Sequence, residues 1–232
     1  MVKHLCVSLC VVLALAACLT AAYGMPSYRG YTGLMRIPTS DALGKGDFNA
    51  GVFVEDVGSG TANDYIVNYG IAPCFEVGFD RFNSGDSSDI FFGENGPDEG
   101  IHTLLNAKYN FMPETTARPG LAAGVIDLTN DLNSTVYVVA SKSLNSPMFS
   151  YQGEILNPQV HAGFGGGSLN GLFGGVSMWL GNHVQVMGEW DSFDVNAGAR
   201  FRVTPSLALH AGFFALNHRT NFGCGVSYGR DY

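Results

Sequence analysis

Charge is scarce in this 232-residue chain, where Asp, Glu, Lys and Arg together make up 14% of the residues. The formal net charge is -8, with no block or stripe of Lys and Arg set against it. A nucleic-acid partner is therefore excluded. Long apolar runs are missing beyond the N-terminus, and none there reaches the ~20 residues that a helical membrane span needs. Cysteine is limited as well: after residue 24 only Cys74 and Cys224 remain. There is no C-x-x-C and no Cys/His set at metal-ligand spacing, so neither a metal nor a cofactor is expected. A Cys74–Cys224 bridge is the alternative to two unpaired residues, and the unpaired state is the expectation. What the chain does have is 46% hydrophobic residues spread thinly and 31 glycines, roughly twice the usual share.

The N-terminus has the layout of an export signal. Lys3 is followed by the apolar run "LCVSLCVVLALAACLTAA", and Ala22-Tyr23-Gly24 places small residues before a cleavage point at Met25. Residues 1–24 are expected to be a signal peptide. A competing boundary lies in "LAAC", Leu15 to Cys18, which matches a bacterial lipobox. In that case the signal covers 1–17 and Cys18 is lipidated.

From residue 46 onward the chain alternates. In "HVQVMGEWDSFDVNAGARFRV", Val184, Val186, Gly188 and Trp190 share one parity, opposed by Gln185, Met187, Glu189 and Asp191. After a short break, Val195, Ala197, Ala199, Phe201 and Val203 oppose Asn196, Gly198, Arg200 and Arg202. Period two marks strands with two unlike faces. About twelve such strands are found, an even number. Three connections ("YGIAPCFEV", "MWLGNHVQV", "FRVTPSLAL") are tight, and most of the others are longer or more polar. These features predict an all-β fold: an antiparallel up-and-down transmembrane β-barrel over 46–232. An irregular lead-in over 25–45 and the signal peptide precede it. The apolar parity is expected to face lipid and the polar parity the lumen. A soluble β-sandwich binding module in the periplasm is the competing architecture. "GLAAGVID" and "STVYVVASK" are apolar on both parities, and neither can be oriented. The long segment 143–158 falls on the short-turn side, where it is expected to form a small plug or an edge helix. The last strand places Phe222, Val226, Tyr228 and the terminal Tyr232 on one parity. Tyr228 and Tyr232 are thus candidates for the aromatic signal read by barrel-insertion machinery.

The inward parity collects the candidate lumen-lining charges Asp47, Glu55, Asp64, Glu76, Asp80, Glu189 and Asp191, with Lys108, Arg200 and Arg202. One expectation is a cation-preferring pore, since rings of charge set selectivity. The other, favoured at this strand number, is that these groups pair and fill a narrow barrel. His102, His161, His183 and His210 share the inward parity but no common spacing, and they are expected to be polar filling rather than metal ligands. No catalytic residue is expected. A lipid hydrolase needs a His-activated Ser on the outer face, and no outward Ser lies beside an outward His. The glycine-rich stretch 163–175 has neither the Lys nor the following helix of a phosphate-binding loop.

Four stretches, "GYTGLMRIPTSDALGKGDFNAG", "LLNAKYNFMPETTARPGLAAGV", "VYVVASK" and "GEWDSFDVNAGARFRV", together resemble the YjbH-type outer-membrane β-barrel proteins associated with exopolysaccharide production. The resemblance spans most of residues 30–214, in a chain much shorter than typical members. It implies a bacterial outer-membrane location. It also implies a non-enzymatic structural or transport role linked to exopolysaccharide secretion, and it supplies no catalytic residues. Expected partners are outer-membrane lipid, the insertion machinery and a polysaccharide or secretion assembly. A passive pore for small ions or sugars is the alternative function.

Overall fold

A computed structural model describes residues 24–56, 61–83, 100–144, 150–151 and 154–230. Residues 1–23 of the expected signal peptide, with its lipidation candidate Cys18, and the terminal Tyr232 lie outside the described residues. In chain order the strands are β1 (Phe48–Asp56), β2 (Thr61–Ala72), β3 (Phe75–Asn83), β4 (Ile101–Met112), β5 (Gly120–Ile126), β6 (Thr135–Ser143), β7 (Ser150–Tyr151) and β8 (Glu154–Ile155). They continue with β9 (Pro158–Gly166), β10 (Gly171–Leu180), β11 (Val184–Trp190), β12 (Val195–Thr204), β13 (Leu207–Phe214) and β14 (Asn221–Gly229).

Twelve of these close a barrel. Each strand pairs antiparallel with its neighbour, and β1 meets β14 in the register Asn49↔Gly229 to Asp56↔Phe222. Closure leaves no free sheet edge, which a sheet in a bilayer cannot tolerate, and it excludes the sandwich. The tight connections fall where the sequence places them, at Pro73-Cys74, residues 181–183 and Pro205-Ser206, all on one rim. Segment 143–158 departs from expectation. It carries the two-stranded β7–β8 hairpin at this same rim, with no helix and no plug among its described residues.

The outer surface follows from the alternation. Val52, Tyr65, Val67, Tyr69, Val136, Val138, Phe164, Leu172, Val176, Leu209 and Phe213 all stand exposed on it. An apolar belt on this scale far exceeds the few hundred Å² that soluble monomers expose. Aromatic pairs reinforce it near the strand ends, including Phe75–Tyr109 and Phe48–Tyr228, with ring centroids 6.2 and 6.1 Å apart. Such pairs suit the interfacial girdles of membrane barrels. Tyr228 belongs to this exposed belt. Cys224, also outward, is free and exposed, so no Cys74–Cys224 bridge exists. Cys74, expected to be unpaired, is instead disulfide-bonded.

The interior was not foreseen. Eight strands make a barrel that its own side chains fill, and diameter grows with strand number. Twelve strands therefore leave a lumen that inward side chains alone cannot close. The lead-in closes it. Tyr28, Tyr31, Leu34, Met35 and Ile37 form one buried apolar cluster with Phe53, Ile66, Tyr137, Val139, Phe173, Met187 and Phe214 of the wall. The lead-in is irregular, as expected, but it packs inside the barrel as a plug.

Candidate functional site

A chain segment crossing a barrel interior must satisfy its backbone N–H and C=O groups without water. The plug makes part of this ladder with itself. Tyr28 N–H donates to Met35 O at 2.9 Å, Gly33 N–H to Met25 O at 3.0 Å and Leu34 N–H to Ile37 O at 2.9 Å. The Tyr31 hydroxyl donates to Arg36 O. The wall supplies the rest, largely through the side chains that the sequence marks as lumen-lining.

Four of these residues act as clamps. Glu76 accepts from Thr32 N–H and Leu43 N–H, both at 2.9 Å, and from the Thr32 hydroxyl at 2.8 Å. Its cross-strand partner Lys108, 3.2 Å away, donates to Thr32 O at 2.6 Å. Glu189 accepts from Met35 N–H at 3.0 Å and Arg36 N–H at 2.7 Å. Arg200 donates to three plug carbonyls, those of Pro26 (2.8 Å), Gly33 (2.8 Å) and Leu34 (2.6 Å). Charged groups bonded to backbone make the stronger class of hydrogen bond. Amides complete the hold. Asn106 donates to Arg29 O and Gly30 O, Asn110 to Ser40 O, and Asn49 to Gly24 O.

Near the long-loop rim the polarity reverses, and the plug supplies cations to carboxylates of the wall. Arg36 pairs with Glu55 and lies 3.7 Å from Asp191, while Arg29 lies 3.8 Å from Asp64. Asp80 is buried on β3 against Gly30. Burial and the neighbouring Arg36 cation lower the Arg29 guanidinium to about 10, against the opposing pull of Asp64. Both arginines still carry charge at neutral pH, so the wall carboxylates face cations rather than an open channel.

Most of the expected lumen residues therefore do face inward: Glu55, Asp64, Glu76, Asp80, Lys108, Glu189, Asp191 and Arg200 are all buried. They do not form a ring around a channel. Arg202 is half-buried, its guanidinium 4.2 Å from the centre of the Trp179 ring. Asp47 is a correction. It lies before β1, in a turn bonded to Gly44 and Gly70, because the barrel wall begins only at Phe48. His183 is another: it sits exposed in the 181–183 turn against Phe201 rather than in the lumen. His161 and His210 are inward. His161 contacts Ser141 at 2.8 Å and Ser177 at 3.3 Å, and His210 contacts Ser227 at 2.7 Å and Arg200 at 3.2 Å. These Ser–His pairs are buried under the plug, away from the outer face where a lipid hydrolase needs its nucleophile. Among the described residues no His/Cys/Asp/Glu group is arranged to hold a metal ion.

The sequence reading missed the plug's own contributors, above all Arg29, Thr32, Met35 and Arg36. A signal was present. "YRGYTGLMRIP" is too rich in large apolar residues for a solvated lead-in. Two spaces around the plug border the inward charges. One of about 30 Å³ lies near the long-loop rim beside Arg29, Tyr31, Arg36 and Asp191. The other, about 290 Å³, lies near the short-turn rim beside Arg200 and Arg202.

Closed walls, an apolar exterior and a filled interior define the class as a twelve-stranded antiparallel transmembrane β-barrel. No protein-family model matches the chain, and no curated protein matches it. Among solved structures it is similar in fold to the KdgM porin, with a TM-score of 0.55 at 12% identity over 78% of this chain and 98% of that one. A KdgM porin in complex with disordered oligogalacturonate gives 0.53 at 11% identity, again over 78% and 98%. At these identities the likeness concerns the fold.

Proposed function

We infer that this protein is a non-enzymatic barrel of the bacterial outer membrane, closed at rest by its own N-terminal segment, with a structural or transport role in the cell envelope. The observation that carries this reading is the hold on residues 24–43. Their backbone is gripped by Glu76, Lys108, Glu189 and Arg200 from four different strands. The apolar outer belt supports the location, and the porin-like fold supports a membrane barrel. The link to exopolysaccharide secretion rests on the resemblance to YjbH-type proteins. In that role the barrel serves as a scaffold while plugged, and as a conduit only if the segment withdraws.

A passive pore for small ions or sugars is the second reading. The likeness to KdgM, solved with an oligogalacturonate, favours it, and the filled lumen weighs against it. Planar-bilayer conductance separates the two, with the heat-dependent gel shift of folded barrels as control. The native chain is expected to be folded and silent. Arg200→Met strands three buried carbonyls, each unmade bond costing ~1–3 kcal/mol, and is expected to give intermittent currents. Steady native channels would overturn the closed reading. A chain that washes off membranes in high salt would overturn the location.

A further inference from the structure

We propose that withdrawal of the plug opens a cation-selective lumen, because the plug carries away the arginines that face five wall carboxylates near the long-loop rim. The proposal rests on the closed reading above and names what the opened barrel passes. Inward charge on the wall is sorted by height. Glu55 and Glu189 are next to last in β1 and β11, Asp191 follows β11, and Asp64 and Asp80 are each fourth from the long-loop ends of β2 and β3. All five are buried. Lys108, Arg200 and Arg202 lie in the other half, toward the short turns, with Glu76. Among the described residues the wall has no inward Lys or Arg in the long-loop half. Arg81 is exposed on the outward parity of β3, and Arg219 is exposed in the 215–220 loop.

The plug supplies the countercharge, and not all of it. Arg36 pairs with Glu55 and lies 3.7 Å from Asp191, while Arg29 lies 3.8 Å from Asp64. Two cations thus face five carboxylates, and hydrogen bonds do not make up the shortfall. Both carboxylate oxygens of Asp64 and of Asp80 are buried without a hydrogen bond, as is Glu55 Oε2. Acceptors buried in this way are costly, and they do nothing to hold the closed state. In an open lumen the same groups meet water and attract cations.

The path of the plug decides which way its arginines leave. Gly24 O accepts from Asn49 at the start of β1, and Gly46 N–H donates to Gly70 O near the end of β2. Both places lie at the short-turn rim. The segment is therefore a hairpin that enters and leaves at that rim, with Arg29 and Arg36 toward its tip. Tethered there to β1, it withdraws toward the short turns and takes both guanidinium groups out of the long-loop half. What stays behind is an acidic vestibule above a short-turn half in which Lys108, Arg200 and Arg202 face Glu76. The vestibule holds the larger excess of charge, and rings of carboxylates select cations.

The test is ion selectivity of the full chain in planar bilayers. Gly78→Ala and Met35→Ala, used separately, loosen the plug without altering charge, and the gel shift confirms folding. Currents are read across a potassium chloride gradient. In dilute salt potassium is expected to pass at least about tenfold more readily than chloride, the low end of what a cleft of one sign achieves. At ~1 M salt, where the screening length falls to ~3 Å, the preference should fall toward parity. Adding Asp64→Asn and Asp80→Asn should cut the dilute-salt preference by about twofold or more. Equal permeability, a chloride preference, or a preference indifferent to both aspartates would overturn the proposal and leave the closed reading intact. So would folded variants that both stay silent. A native chain that conducts as freely as the variants would overturn the closed reading and the proposal together.

Discussion

A β-carbon on Gly78 would stand inside the carbonyl oxygen of Gly30, because the plug backbone lies directly against the barrel wall at this point. The contact explains two glycines at once. Gly78, on the inward face of β3, must lack a side chain for the plug to approach, and Gly30 turns there with a φ of 68°, which glycine adopts at no steric cost. Gly78→Ala is expected to destabilise the folded barrel by about 1–3 kcal/mol, the usual cost of overpacking. It should lower the temperature of the gel shift and admit current. Unchanged stability would mean that the plug does not occupy this place in solution.

Met35 seats on a second glycine pair. Gly198 and Gly212 face each other across β12 and β13, and a β-carbon on Gly212 would fall 2.6 Å from the Met35 sulfur. Gly212→Ala alone and Met35→Ala alone should each destabilise, the latter by about 2–5 kcal/mol for an emptied core site. Combined, they should cost less than their sum, a coupling of about 0.5–3 kcal/mol. Strict additivity in a urea-unfolding cycle would separate the two residues and contradict the packing.

Val138 tests the outer face. It is 52% exposed midway along β6, flanked by the inward Tyr137 and Val139. An arginine at the bilayer-facing midpoint of a barrel strand costs about 2–4 kcal/mol, against near zero at the interfaces. Val138→Arg is expected to lose that much in refolding titrations into lipid vesicles. A neutral result would mean that this surface meets water.

Asp127 predicts a pH dependence confined to one loop. Its buried carboxylate accepts from the Thr129 hydroxyl at 2.6 Å and from the N–H groups of Asp131, Leu132 and Asn133 at 3.1, 2.8 and 3.1 Å. Burial pushes its pKa up, but these hydrogen bonds outweigh that and hold it below the ordinary value. A depressed carboxylate pKa contributes stability that is present in full above the unfolded value of ~3.9. That contribution is lost as pH falls through the folded value. Amide exchange in 127–134 should therefore quicken below about pH 4. Asp127→Asn, which tolerates the residue's φ of 58°, should exchange fast at every pH. A loop whose exchange protection ignores both acid and the substitution would remove Asp127 as its anchor.

Strand number, antiparallel order, tight turns and the outward face were legible in the chain because each depends on local alternation. A strand beside lipid must be apolar at every second residue whatever lies inside the barrel. The two strands that resisted orientation show where that logic ends. In β6, Val136 and Val138 face out while Tyr137 and Val139 face in. Both parities are apolar because one meets lipid and the other meets the plug, so β6 carries no alternation to read.

The inward charges were visible too, but not their task. Glu76, Glu189 and Arg200 look alike whether they line water or cap a backbone, since the sequence records a donor or acceptor without its partner. Those partners lie far off in the chain: Arg200 meets Leu34 across 166 residues and Glu189 meets Met35 across 154. Local pattern by itself determined a twelve-stranded wall with an apolar outside. Only closure of that wall, leaving a lumen wider than its own side chains could fill, decided that residues 24–43 would lie within it.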